Sequence, residues 1–111
     1  MTRKVVVTRI SLLLFLAGLL SFSSPAKADG ASNYKAKCAL CHGADGKGDT
    51  PAGKSMGAHD FTSPDVEKES DADLIAITTK GKNKMPAYGG KLSDADIKDV
   101  ISYVRQLAKG K

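Results

Sequence analysis

The sequence predicts an all-α protein of three to four helices and one long loop, and three observations carry that reading. No stretch alternates apolar and polar residues as a half-buried strand would. Positions 93–108 combine a start signal with an apolar stripe at helical spacing. Positions 43–64 are rich in Gly, Asp, Pro and Lys without an apolar period, which marks a loop. A loop of that length is unusual in a small domain unless something orders it.

At 111 residues there is room for one domain, and the first segment is not expected to belong to it. Arg3, Lys4 and Arg9 precede an uncharged apolar run over positions 10–20, and Ala26-Lys27-Ala28 has the small-x-small pattern that a signal peptidase cuts after. The expected organisation is a signal peptide over 1–28 and one domain over 29–111, exported to the periplasm or another extracytoplasmic compartment. The apolar run falls short of the roughly 20 residues that span a bilayer, so no stable membrane anchor is expected after cleavage. A retained leader acting as an anchor is the competing reading. No cysteine stands at the cut to take a lipid. Arg3, Lys4, Arg9 and Lys27 leave with the leader, so the formal charge falls from +5 to +1. That balance excludes nucleic acid as a leading partner.

The domain has no Trp, and its aromatic residues are Tyr34, Phe61, Tyr88 and Tyr103. Domains with so thin a core usually need a disulfide, a metal or a cofactor. The first helix is expected over 30–41, ending at Gly43, with Tyr34, Cys38 and Cys41 on one face and Lys35 and Lys37 turned away. Cys38-Ala39-Leu40-Cys41-His42 on it is the C-x-x-C-H pattern of covalent haem attachment. Residues three and four apart share a helix face, so two thiols can add to two haem vinyl groups while the imidazole reaches the iron. The expected cofactor is one covalent haem c, bound through Cys38 and Cys41 with His42 as the proximal ligand. Two other readings compete. A disulfide or thioredoxin-like pair suits an oxidising compartment, but the latter wants strand and helix alternation that the chain lacks. A structural zinc site wants four ligands, and beyond Cys38, Cys41 and His42 the domain offers only His59 at an unsuitable spacing.

After the loop, a short middle helix is expected to start at Ser70, where Ser70 and Asp73 resemble a capping box, and to carry Leu74, Ile75 and Ile77 before stopping at Gly81. The last helix starts at Ser93, with Asp96 three residues on. Ile97, Val100, Ile101, Val104, Leu107 and Ala108 form its apolar stripe, and Asp94, Lys98, Asp99, Arg105 and Lys109 its solvated face. No repeat or low-complexity tract is present.

These helices, the long loop and the single C-x-x-C-H together resemble the class I cytochrome c family in its short, bacterial, single-haem form, over nearly all of residues 29–111. The resemblance implies a small cytochrome c fold with the loop wrapped around the haem. It implies that Gly30 and Tyr34 on the first helix pack against Val100 and Tyr103 on the last. It also implies a distal ligand. Met56 and Met85 are the two methionines after residue 28, and the family's ligand occurs as Met-Pro ahead of the last helix, which points to Met85 before Pro86. Proline there removes a backbone donor and stiffens the turn, and a soft thioether favours ferrous iron, raising the potential. Met56, as a gap-filler against the haem edge, and His59, which would lower the potential, remain the alternatives for that position. By the same resemblance the Pro51 carbonyl is the candidate acceptor for the His42 Nδ1 hydrogen, a contact that orients the ring.

With both axial positions filled by protein, no substrate reaches the iron without displacing a ligand, so the expected activity is single-electron transfer by a soluble, monomeric carrier rather than catalysis. Its partners would be redox proteins, a reductase and an oxidase. Lys80, Lys82 and Lys84 flank Met85 and could form a basic rim that steers an acidic partner surface. Two other functions stay open: a haem sensor or gas- or peroxide-binding module in which Met85 leaves the iron, and a detachable subunit of a larger oxidoreductase.

Overall fold

The computed structural model describes residues 29–110, and the predicted leader over 1–28 lies outside them. Among the described residues there are six helices and no strand, the one sheet-like feature being an isolated bridge between Lys82 and Met85.

Helix α1 runs Gly30–Lys37 and α2 Ala39–His42. Asp29 caps α1 by accepting the Ser32 amide at 2.8 Å. The single helix expected over 30–41 is thus two. At Cys38 the ladder tightens, and the Cys41 amide donates to Cys38 O at 3.2 Å, three residues back. Gly43, at φ +83°, ends α2 where a side chain would be strained.

The expected loop contains two short helices, α3 over Pro51–Met56 and α4 over Pro64–Lys68. Each opens on a proline, whose missing N–H costs nothing in a first turn. The Thr50 hydroxyl caps α3 by accepting the Gly53 amide at 2.8 Å. The two later helices stand where expected, α5 over Asp71–Lys80 and α6 over Asp94–Lys109. Ser70 accepts the Asp73 amide at 3.1 Å. At α6 both halves of the capping box form, the Asp96 amide donating to Ser93 Oγ at 3.1 Å and the Ser93 amide to Asp96 Oδ2 at 3.4 Å.

Helix α1 crosses α6 so closely that a Cβ on Gly30 would lie 2.2 Å from Asp99 O. That contact has no room for a side chain, which is why glycine opens α1. Beside it Tyr34 is fully buried, its ring 5.2 Å from that of Tyr103 and 6.3 Å from that of Phe61. Its hydroxyl donates to Gly43 O at 2.6 Å, and burial pushes its pKa up. Tyr34, Leu92, Ile97, Val100 and Val104 form one core cluster, while Val66, Leu74 and Ile101 join α4, α5 and α6 in a second. Arg105, expected on the solvated face of α6, instead reaches back to Val66, Glu69 and Asp71.

Candidate haem-binding site

Cys38, Cys41, His42 and Met85 all line one partly open cleft, although Met85 lies more than forty positions from the motif. Its walls are apolar: Leu74 and Ile77 from α5, Val100, Ile101 and Val104 from α6, and Val66 from α4. The α1–α2 junction presents the two thiols, both free and partly buried. Burial pushes the Cys38 thiol up to about 11.

The His42 ring is held from behind by the loop. Its Nδ1 lies 3.1 Å from His59 O. A carbonyl only accepts, so Nδ1 carries the hydrogen and Nε2 keeps its lone pair. This corrects the assignment to Pro51, which opens α3 while the neighbouring Thr50 hydroxyl contacts Leu40 O at 2.6 Å and Cys41 O at 2.9 Å. The loop reaches His42 by folding back twice, the Gly48 amide donating to His42 O and the Phe61 amide to Gly46 O, both at 2.8 Å. Phe61 then stacks on the imidazole, centroids 4.3 Å apart at 20°. Burial lowers the His42 pKa more than the bond to His59 O raises it, which favours the neutral, ligating form.

Met85 is half-buried at the end of a tight turn. Its amide donates to Lys82 O at 2.9 Å and the Lys82 amide to Met85 O at 3.2 Å, with Asn83 at φ +53°, a left-handed conformation that asparagine tolerates. The Tyr88 and Gly89 amides return the chain to Thr78 O and Thr79 O of α5 at 3.0 and 3.1 Å. Met56 and His59 also border the cleft, but both are exposed. Lys82, Lys84 and Lys37 also line it, whereas Lys80 does not. Asp65 and Glu69 add opposite charge to the lining.

The donor set fits haem c. Two thiols can form thioethers, one imidazole nitrogen and one thioether sulfur suit the iron, and the walls are apolar. Zinc finds no support, because among the described residues no group of three or more His, Cys, Asp or Glu gathers to hold a metal ion. Nor, among the described residues, is any helix long and apolar enough to cross a membrane. The sequence reading missed the acceptor role of His59 and the contacts of Tyr88 and Lys37, because backbone carbonyls and tertiary hydrogen bonds leave no motif.

Residues 25–104 match the family model described as cytochrome C oxidase, cbb3-type, subunit III. The chain is 41% identical to cytochrome c6 of Microcystis aeruginosa over 83 residues, covering 74% of this chain and 99% of that one. It is 34% identical to the cbb3-type cytochrome c oxidase subunit FixP of Azorhizobium caulinodans, covering 86% of this chain and 32% of that one. Among solved structures, the KustC0563 c-type cytochrome superposes with a TM-score of 0.67 at 30% identity, over 72% of this chain and 98% of that one.

Proposed function

The chain belongs to the cytochrome c family as a small class I member, and we propose that Cys38 and Cys41 hold its haem, with His42 as the proximal and Met85 as the distal iron ligand. It is an electron-transfer protein, not an enzyme, and its cofactor is a covalently bound haem c. That group supplies a one-electron iron couple; the chain supplies the rest. His42 presents Nε2 because His59 O occupies Nδ1. The same bond uses His59 through its backbone behind the ring, which supports Met85 over His59 as the distal ligand. Phe61 and the apolar walls limit water around the site.

The observation that carries this reading is the convergence of two thiols, one imidazole and one thioether on a single apolar cleft. The test is the visible spectrum of the purified protein, made with the haem-attachment machinery, including the weak far-red band of methionine bound to ferric haem. The band is expected in the unaltered protein and absent in Met85→Ala. A covalent haem without the band in the unaltered protein would move ligation to His59 or to an open position, and rapid carbon monoxide binding to the reduced form would then favour a sensor.

The protein carries electrons between redox partners. The finer proposal is that residues 1–28 are a cleaved signal peptide, that the domain works in the periplasm or a comparable extracytoplasmic space, and that it is a monomer. Intact-mass analysis of the exported protein tests the cut, which should leave Asp29 first. Lys82 and Lys84, exposed and lining the cleft, form the steering surface for an acidic partner, with Lys80 exposed but outside the lining. Charge reversal at Lys82 and Lys84 should slow electron delivery at low salt and flatten its salt dependence; an unchanged profile would remove them from the docking surface.

A further inference from the structure

A single side-chain hydrogen bond ties the segment that carries Met85 to the segment that carries the cysteines. The Tyr88 hydroxyl donates to Lys37 O at 2.9 Å, across 51 positions of sequence. Tyr88 follows Met85 by three residues, and Lys37 immediately precedes Cys38. The acceptor exists because of the helix break. In a continuous α-helix Lys37 O would receive the Cys41 amide, but that amide donates to Cys38 O instead. The attachment motif thus turns a carbonyl toward the cleft rim, and the Met85 segment takes it. The Tyr88 ring packs on the core cluster and borders the cleft. Burial raises its pKa, so the hydroxyl stays a donor. The other side-chain tie of this turn, Lys84 Nζ to Ser55 O, is 3.5 Å long, at the edge of hydrogen-bond range.

We propose that Tyr88 is a positioning residue for Met85: its hydroxyl pins the 82–88 segment to the start of the attachment motif and keeps the distal side of the site closed. The proposal rests on Met85 being the distal ligand. Without the bond, the segment leaves its closed position more often, and external ligands reach the site.

The experiment compares the holoprotein with its Tyr88→Phe variant, which keeps the ring and its packing while deleting the donor. The readouts are the far-red band and the rate at which the ferric protein captures cyanide, which requires Met85 to leave. One ordinary hydrogen bond corresponds to a shift of roughly two- to tenfold in the open population, so cyanide capture should accelerate by that factor while the band persists at neutral pH. Ser93→Ala loosens the cap of α6 outside the cleft lining and should leave the capture rate unchanged. An unchanged rate in Tyr88→Phe, or an equal rise in Ser93→Ala, overturns the proposal. Retention of the band in Met85→Ala would instead overturn the ligand assignment beneath it.

Discussion

Arg105 illustrates how one side chain can be misjudged by its place on a helix wheel. It stands among the polar positions of α6, yet its guanidinium spans three partners on the chain leading into α5. Nη1 donates to Val66 O at 3.2 Å, Nη2 donates to Glu69 O, and Nε meets Asp71 Oδ1 at 2.9 Å. The magnitudes separate these contacts. The Asp71 side chain is 69% exposed, and an exposed ion pair contributes about 0–1 kcal/mol. Hydrogen bonds from a charged donor to partly buried carbonyls contribute about 1.5–3 kcal/mol, and the cation also complements the C-terminal end of α4. Arg105→Ala should therefore cost about 2–3 kcal/mol in urea unfolding of the holoprotein, whereas Asp71→Asn should cost less than about 1 kcal/mol. Arg105→Lys should recover little, since an ammonium lacks the planar fork that reaches two carbonyls at once. Equal losses in Arg105→Ala and Asp71→Asn would transfer the staple's strength to the ion pair.

At the scale of elements, legibility followed how local the signal was. Helices α5 and α6 were readable because Ser70 with Asp73 and Ser93 with Asp96 mark their starts within four residues, and α6 runs long enough to show a stripe. Helices α3 and α4 were not, because six and five residues are too few to display a period. Their start signals were nevertheless present, as Thr50-Pro51 and Ser63-Pro64. The break between α1 and α2 was invisible because it consists of one amide choosing an acceptor three residues back instead of four. The site divides in the same way. Cys38, Cys41 and His42 stand out as candidates because covalent attachment demands that spacing, and Met85 because Met-Pro has a characteristic place in the family; what the structure adds is that all four line one cleft. The acceptor for His42 was assigned to Pro51 and belongs to His59, since any residue's carbonyl can serve and only the folded loop decides which one arrives. Gly30 and Tyr34 sat correctly against α6 because a glycine at a crossing and an aromatic four residues on describe one packing event.

For the molecule as a whole, the core and the binding site are largely one surface. Of the eight buried apolar residues among those described, Tyr34, Val66, Leu74, Val100, Ile101 and Val104 also line the cleft, leaving Leu92 and Ile97 buried apart from it. If the haem occupies this partly open cleft as proposed, its removal uncovers side chains that also form the core. Apolar surface returned to water forfeits about 25 cal/mol per Å² of burial. A core this small supplies about 3–5 kcal/mol without a staple. With so small a margin, losing the burial that the cofactor provides should leave the haem-free chain without a cooperative native state. Cys38→Ala with Cys41→Ala, produced without haem, is expected to give a broad thermal transition, weaker far-UV helical signal and dye-accessible apolar surface, with residual helix concentrated in the well-capped α6. The holoprotein should melt sharply under the same conditions. A sharp transition in the haem-free variant within a few degrees of the holoprotein's would mean that contacts such as the Gly30 crossing and the Arg105 staple suffice to hold the helices, and that the cofactor fills a site the fold can maintain alone.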